Sequence, residues 1–382
     1  MTERKADAIK KIGFSTIFAV ASVLFSSHAG GGFATGNQAT QFFASIGSFG
    51  IFAGILAMGL LTLTIRECMI MRNTRNLKSY KELFETLYHP YVKLEWVFEV
   101  YFNIMVICAV GAVIAGAASV VSVNNIMSYQ MGVLTVGIIL LIFTIFGAGL
   151  VSKVSTIMSV CILISLFVIF FMGINVKLPE IMNVIKNADG FSAVSIRKGI
   201  VNAFVYAGFQ SVVIPTMIAC GTPLENKPNA SKAMIISFAM NAVALGLSIV
   251  MLLGWQQDFV AAGQTTLPSL YICKQIDMGV LYIFYNIALL LCLISTGVTT
   301  VYGFVSRFSA IKVMEKIEKP IIRRIIASGF SMIISMSVSM VGLSKIIRYG
   351  YGYCGYLGIV SIIIPFLTIG YYKNRKYIKE NK

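Results

Sequence analysis

The chain has 382 residues, of which 57% are hydrophobic and only 12% charged, and its formal net charge is +16. Because a soluble domain carries about 25% charged residues, this composition indicates an all-α integral membrane protein and excludes a soluble domain of useful size. The positive charges lie in short loops between apolar runs, so we do not expect nucleic acid as a partner.

Uncharged runs predict ten transmembrane helices. No Asp, Glu, Lys or Arg occurs in residues 12–65 or 100–152, and each of these runs is too long for one crossing of about 20 residues. We therefore interpret each run as two helices, joined by polar turns at Gly47–Gly50 and Val123–Gln130. Six further uncharged runs predict one helix each: 154–176, 199–224, 233–257, 278–306, 325–344 and 349–372.

The positions of Lys and Arg predict the orientation. With the N-terminus inside, 24 of these residues fall in inner segments and 7 in outer ones. An excess of Lys and Arg marks the cytoplasmic side, so we expect a multi-pass protein of the plasma membrane with both termini in the cytoplasm. The seven cysteines form no C-x-x-C pair, and we predict no disulfide framework and no resident cofactor.

Glycines interrupt the first predicted helix. The segment FSSHAGGGFATGNQ, from Phe25 to Gln38, holds four glycines in an otherwise apolar run, and each glycine costs about 1 kcal/mol in a helix interior relative to alanine. Unwound backbone is tolerated at membrane depth only where protein or a water-filled cavity surrounds it. We interpret the cluster as such a break. Close helix packing through Gly32 and Gly36 is the alternative.

The sixth helix carries a matching irregularity. Its segment NAFVYAGFQS, residues 202–211, is followed by Pro215, so a simple proline kink is the alternative to a break. Helices one and six hold the same place in two sets of five, and sets of five have opposite topology. Interrupted helices at corresponding positions of inverted repeats indicate a transporter's central site.

The predicted domain organisation follows from this symmetry. Residues 1–176 form the first five-helix repeat with its cytoplasmic N-terminal segment, and residues 199–372 form the second. Between them, residues 177–198 form an outer loop with a short amphipathic helix at Leu178–Lys186. Residues 373–382 form a cytoplasmic tail, and Trp255 to Asp277 is a longer outer loop that could act as a lid.

Two segments resemble a known family. GGGFATGNQ, residues 30–38, looks like the G-A-G-F-A-S-G-Q-E segment of the YkvI-like bacterial membrane proteins, and residues 341–358 resemble the start of that family's final helix. The family lies within the amino acid–polyamine–cation superfamily, so the resemblance implies the LeuT-type fold, a 5+5 inverted repeat with helices one and six broken. Asn37–Gln38 stands where Gln–Glu is expected. A carboxylate is therefore missing beside the site, which leaves coupling and substrate open.

The two breaks predict a substrate site, which Tyr101 and Asn103 of helix three could complete. Backbone groups would come from the first helix, and aromatic walls and an uncharged amide from the sixth. The predicted residues are Ala29, Gly30, Gly31, Gly32 and Phe33, together with Tyr206, Gly208, Phe209 and Gln210. Since neither break holds an acidic residue, a neutral amino acid or related zwitterion fits better than a polyamine.

A sodium site is implied by position within the superfamily. Its ligands would be the backbone carbonyls of Ser26, Ala29 and Thr296 and the hydroxyls of Thr299 and Thr300. Oxygen ligands suit a hard cation, although membrane Ser and Thr often bond only their own i−4 carbonyl. Some sodium-independent relatives place a lysine in the middle of helix five, and residues 154–166 contain none, which favours Na+ as the coupling ion.

Few titratable groups lie within the predicted membrane segments. His28 adjoins the glycine break, where it could act as a proton acceptor or pH sensor, or as a neutral hydrogen-bonding residue. Glu95 and Glu99 share one helix face near the inner end of helix three, with Arg66 as a candidate partner. They could form a stabilising ion-pair cluster or a proton or cation relay.

The predicted function is secondary active transport by alternating access, with Na+-coupled symport of a small neutral amino acid or related zwitterion. A proton-coupled transporter or exchanger of the same fold and a non-transporting ligand sensor remain alternatives. No enzyme is predicted, because His28 and His89 are the only histidines and an intramembrane hydrolase motif is missing. The expected partners are a small-molecule substrate and the lipid bilayer, and the sequence leaves the oligomeric state open.

Overall fold

The computed structural model describes residues 12–28, 30–224, 226–308, 314 and 317–381, with side chains for all of these except 31, 147–159, 302, 303 and 306–308. Within this part of the chain the protein is all-helical. Helices α1 to α3 make up the first predicted span: α1 (Phe14–His28), α2 (Gly31–Ala34) and α3 (Asn37–Phe42).

The first span is broken twice, which confirms the predicted interruption. The chain bends at Gly30 between α1 and α2, and Gly36 separates α2 from α3. Gly36 has a φ of +79°, and a Cβ atom there would lie 2.4 Å from the hydroxyl oxygen of Ser269. A left-handed backbone without room for a side chain requires glycine at this position.

The remaining helices follow in chain order. They are α4 (Phe49–Thr74), α5 (Tyr80–Tyr88), α6 (Glu95–Val123), α7 (Tyr129–Ile142), α8 (Ala148–Val176), α9 (Leu178–Lys186), α10 (Ala193–Gln210), α11 (Ile214–Cys220), α12 (Lys227–Ala261), α13 (Pro268–Gln275), α14 (Gly279–Phe308), α15 (Pro320–Ser339) and α16 (Leu343–Glu380). Of the helices in the described residues, eight are long and apolar enough to cross a membrane, and a ninth span results if α8 and α9, bent by 74°, count as one. Together with the broken first span, this is compatible with ten crossings.

Several predicted boundaries agree with the structure. The turns at Gly47–Gly50 and Val123–Gln130 are confirmed, because α4 begins at Phe49, α6 ends at Val123 and α7 begins at Tyr129. The short helix Leu178–Lys186 is also present as α9. It packs through Ile181 against α12, where a Cβ atom on Gly254 would lie 2.7 Å from the Ile181 side chain.

Three helices extend beyond their predicted boundaries, because each continues past the end of its apolar run. Helix α10 begins at Ala193, within the predicted loop 177–198, where the Ser192 hydroxyl caps it by accepting from the Ser195 amide at 3.1 Å. Helix α16 continues to Glu380 through the predicted tail. Helix α12 reaches Ala261, so Trp255 is a buried helical residue and the loop before α13 starts only after Ala261.

The sixth span is irregular rather than unwound. Helix α10 passes through a 3-10 turn at Ser211–Val213 into α11, and the three form one 28-residue span. Pro215 explains the turn. Proline has no N–H to donate to the Ser211 carbonyl four residues earlier, and its ring clashes with that carbonyl. The irregularity therefore lies directly after Gln210, later and milder than the predicted break.

Helices α10 and α16 approach each other through glycines. A Cβ atom on Gly208 would lie 2.2 Å from the Gly355 carbonyl oxygen, and one on Gly355 would lie 2.4 Å from the Val205 carbonyl oxygen. Gly358 faces the Gly208 carbonyl oxygen in the same way, at 2.4 Å. Small residues let membrane helices pack backbone to backbone. Gly208, predicted to line the substrate site, therefore serves this helix contact.

Candidate functional site

A side-chain bridge spans the break in the first helix. The Tyr206 hydroxyl of α10 lies 2.8 Å from His28 Nε2, at the end of α1, and donates to Gln38 Oε1 of α3 at 3.2 Å. With that hydroxyl hydrogen on Gln38, His28 donates from Nε2. All three residues are buried. The two ends of the broken helix thus meet on one residue of the sixth span.

Aromatic rings surround this bridge, among them Tyr206 and Phe209, which the sequence predicts as aromatic walls. The Tyr206 ring centroid lies 4.7 Å from that of Phe209 and 5.0 Å from that of Phe43, and the His28 ring lies 5.1 Å from Phe33. Phe33, Tyr206 and Phe209 are almost completely buried. These side chains form an apolar wall around a small polar centre, which is the composition of a small-molecule site.

Glycines make room at the break. A Cβ atom on Gly32 would lie 2.2 Å from Gln38 Nε2, so the missing side chain leaves the space in which Gln38 reaches Tyr206. Gly30 brings the chain close to α14, where its Cβ position lies 3.5 Å from the Thr296 hydroxyl oxygen. Gly31 begins α2, and Ala29 lies outside the described residues.

Helix α6 contacts the turn in the sixth span. The Tyr101 hydroxyl donates to the carbonyl oxygens of Gly208 at 2.7 Å and Phe209 at 2.9 Å. The structure therefore brings Tyr101 to the candidate site, whereas Asn103 donates to the Glu99 carbonyl within its own helix. Gln210 is buried at the end of α10, one turn beyond Tyr206.

Sequence reasoning missed two polar residues of the site. Gln38 stood out only as a departure from the family pattern, and Asn241 of α12 was not singled out. Asn241 is a further polar neighbour of the His28 ring. His28 Nδ1 and Asn241 Oδ1 are both buried without a hydrogen-bond partner among the described residues. Buried polar atoms are normally satisfied, so a polar ligand or water at this point would complete both.

The predicted sodium ligands occupy neighbouring segments. The Thr299 hydroxyl donates to the carbonyl oxygens of Ser295 at 2.9 Å and Thr296 at 3.1 Å, and the Thr300 hydroxyl donates to Thr296 at 2.7 Å. The Ser26 hydroxyl donates to Val23 within α1. These hydroxyls therefore donate to carbonyl oxygens three or four residues earlier in their own helix, which is the alternative to a sodium site that the sequence left open. Ser26 and Thr299 are both exposed.

The glutamates in the first two turns of α6, Glu95 and Glu99, have partners other than Arg66. Glu99 accepts from the Tyr80 hydroxyl at 2.7 Å, and Lys81 Nζ lies 3.9 Å from Glu95 Oε1. Arg66 instead pairs with Glu67, its neighbour in α4.

Sequence reasoning missed Glu67, which is buried next to Arg66 in α4. The Asn374 amide of α16 donates to its Oε2 at 2.9 Å. Glu67 therefore links the C-terminal parts of α4 and α16.

Hydrogen bonds join α3 to other elements on the side that charge distribution predicts as outer. The Asn37 amide of α3 donates to the carbonyl oxygens of Thr265 at 3.1 Å and Thr266 at 2.9 Å, and to the Ser344 hydroxyl at 2.9 Å. These contacts tie the second half of the first span to the loop before α13 and to the start of α16. A role of that loop as a lid stays a prediction.

Known proteins share this architecture. No protein-family model matches the chain. The structure resembles the inward-facing conformation of Mhp1, with a TM-score of 0.55, 9% identity and coverage of 94% of this chain and 91% of that one. It also resembles the manganese transporter of Eremococcus coleocola, with a TM-score of 0.53, 14% identity and coverage of 92% and 78%. The chain is therefore a multi-pass membrane protein of the LeuT-type fold.

Among curated proteins, the chain is similar to the membrane protein YkvI of Bacillus subtilis (strain 168). They are 29% identical over 126 residues, which is 33% of this chain and 36% of the relative. The match thus spans about a third of the relative's length. It confirms the resemblance noted in the sequence, and both structural relatives above are transporters of the LeuT-type fold rather than enzymes.

Proposed function

We propose that the protein is a secondary active transporter that moves a small neutral amino acid or related zwitterion by alternating access, coupled to Na+. The observation that carries the proposal is the bridge from His28 through Tyr206 to Gln38 across a broken membrane helix. Broken helices place binding groups near the middle of the membrane in transporters. The contacts of Asn37 with the loop before α13 and with the start of α16 are of the kind that would hold one state of an alternating-access cycle.

The chemistry of the site supports a neutral solute. Residues 12–65 and 199–224 contain no Asp, Glu, Lys or Arg, so the bridge and its aromatic walls carry no fixed formal charge. A solute with an unbalanced charge would lose its hydration here without a counter-charge, which is costly at membrane depth. A zwitterion or neutral solute carries no net charge and avoids that cost.

The neighbouring hydroxyls support Na+ as the coupling ion. Gly30 and Thr296 are adjacent, and the Ser26 and Thr299 side chains are exposed rather than packed in the core. A small shift of α1 toward α14 would let the carbonyls and hydroxyls that now bond locally turn to a cation. Oxygen ligands without thiols match the preference of a hard cation.

Proton coupling is the second candidate, and one observation favours it. His28 is buried at the break with Nδ1 unpartnered among the described residues. A histidine in such a place can accept a proton and carry it across a conformational change.

Uptake into proteoliposomes tests both candidates. Purified protein would receive a panel of labelled amino acids under an inward Na+ gradient, under K+ in its place, and under a pH gradient. We expect Na+-dependent uptake of a neutral amino acid that is lost in Thr299→Ala. Thr368→Ala is the matched control, because that hydroxyl also bonds its i−4 carbonyl but lies in α16.

Other outcomes separate the alternatives. Uptake that ignores Na+, follows the pH gradient and disappears in His28→Gln would replace Na+ by a proton. Binding of an amino acid without uptake under any gradient would leave a ligand sensor.

A further inference from the structure

A polar cavity opens to the surface outside the candidate transport site. It has a volume of about 540 Å³ and is lined by the segment after α4, by α5 and by the last turns of α16. Arg75, Lys373 and Tyr377 are among the residues that line it. The distribution of Lys and Arg places this end of the protein on the cytoplasmic side.

Two cations that line this cavity, Arg75 and Lys373, form no ion pair within the described part of the chain. Lys373 Nζ donates to the carbonyl oxygens of Thr86, Leu87 and His89 at 2.9–3.0 Å, which closes the end of α5. Arg75 lies over the Tyr377 ring, 4.4 Å from its centroid. Half-buried cations of this kind favour an anion nearby.

Arg75 still has donors to offer. It donates to the Thr74 hydroxyl at 3.3 Å, to Asn374 Oδ1 at 2.8 Å and to the Lys373 carbonyl at 2.9 Å. A guanidinium has five N–H groups, so these bonds leave two for a ligand. Burial lowers the pKa of Arg75 from its ordinary value, and a bound anion would offset that cost.

The carboxylates that line the cavity are already engaged. Glu82 accepts from the Lys78 amide at 2.9 Å, Glu85 lies 3.9 Å from Lys81 Nζ, and Glu380 lies 3.8 Å from Lys376 Nζ. These contacts hold the negative charges near other donors. Among the described residues, Arg75 and Lys373 therefore remain without an ion pair beside these carboxylates.

Exposed tyrosines lie next to the cavity. Tyr371 and Tyr372 are both exposed on α16 immediately before Lys373, and exposed tyrosines of this kind concentrate at the membrane–water interface. This position favours a ligand that comes from the headgroup layer.

We propose that this cavity binds the phosphate group of an anionic phospholipid of the inner leaflet. The phosphodiester would accept from the free N–H groups of Arg75 and lie beside Lys373, with its acyl chains leaving along α16. Arginine suits this role because its planar fork matches phosphate oxygens. The bound lipid would join α4, α5 and α16 at their inner ends. This binding is independent of which solute the protein carries.

Native mass spectrometry of the purified protein with added phosphatidylglycerol tests the proposal. We expect the wild type to retain one lipid. Arg75→Gln should bind it at least about tenfold more weakly, because charge-assisted hydrogen bonds are lost. Arg75→Lys keeps the charge and should retain part of the binding. Lys379→Gln is the control, because Lys379 is exposed on the same helix but does not line the cavity. It should bind like the wild type.

Two results would overturn the proposal. One is equal retention in the wild type and Arg75→Gln while lipid-free samples of both melt at the same temperature. The other is displacement of the lipid by millimolar inorganic phosphate, which would make the cavity a site for soluble phosphate. If Arg75→Gln melts at a lower temperature than the wild type, the lipid affinity of Arg75→Lys is compared with that of the wild type instead. Equal affinities of these two proteins would contradict a role for the planar guanidinium of Arg75.

Discussion

At the scale of single residues, the Tyr206 hydroxyl joins the two ends of the broken first helix. It contacts His28 in α1 and Gln38 in α3, which belong to separate helical segments. A single hydroxyl therefore couples the position of both segments to the sixth span. Any solute that competes for one of these bonds would change how the segments sit relative to each other.

Tyr206→Phe removes this coupling while keeping the ring. It leaves His28 Nε2 and Gln38 Oε1 buried without their partner, which costs about 1–3 kcal/mol. We expect a lower melting temperature and strongly reduced solute uptake. Tyr353→Phe is the control, because that ring is 71% exposed. Wild-type uptake in Tyr206→Phe would show that the bridge has no part in transport.

Gly32→Ala tests the same centre from the other side. Its new Cβ atom would lie 2.2 Å from Gln38 Nε2, and the flexible amide can move away without unfolding the helix. We therefore expect near-normal melting but reduced uptake, because Gln38 no longer reaches Tyr206. Gly329→Ala, where a Cβ atom meets nothing within 4 Å, should change neither. Normal uptake in Gly32→Ala would argue against a role for Gln38.

The sequence could identify only part of this centre. His28, Tyr206 and Phe209 were recognisable because polar or aromatic side chains beside glycines interrupt an apolar run. Gln38 could not be recognised, since its partner Tyr206 is 168 residues away and local pattern carries no information on such a contact. Asn241 and Glu67 lie within regular helices and give no local signal at all.

At the scale of elements, α10 and α16 pack with their backbones in direct contact. The contacts of Gly208, Gly355 and Gly358 are backbone to backbone. Such a contact cannot slide without meeting a side chain on either flank. Helix α16 should therefore move together with the sixth span during any conformational change.

Gly355→Ala tests this contact. Its Cβ atom would lie 2.4 Å from the Val205 carbonyl oxygen and 2.5 Å from the Val205 side chain. Backbone cannot yield as a side chain does, so we expect a loss of about 1–3 kcal/mol from overpacking, seen as a lower melting temperature. Gly352→Ala lies one turn earlier in α16 with nothing within 4 Å and is the matched control. Equal melting of the two variants would contradict the tight contact.

Element boundaries were predictable where composition changes and not where helices continue into charged sequence. The end of α6 and the start of α7 lie on either side of a polar turn. The extensions of α10, α12 and α16 do not, because hydropathy reports membrane depth whereas helix length depends on caps and tertiary contacts. Lys373, for example, ends an apolar run but holds α16 against α5.

At the scale of the whole molecule, the LeuT-type fold was predictable from the sequence through its pattern of spans and interruptions together with the resemblance to the YkvI-like family. Uncharged runs gave the spans, and glycine-rich or proline-containing interruptions marked two of them. The contacts that Asn37 makes across the fold were not predictable. They join Asn37 to the loop before α13 and to the start of α16, and only the three-dimensional arrangement provides them.

The central claim is that this fold transports solute rather than only binding it. Accumulation in proteoliposomes tests this most directly, by comparing the internal and external concentration of a labelled neutral amino acid under an inward Na+ gradient. We predict an internal concentration above the external one, which collapses when an ionophore dissipates the gradient. Saturable binding with internal concentration never exceeding the external one, with or without a gradient, would contradict active transport.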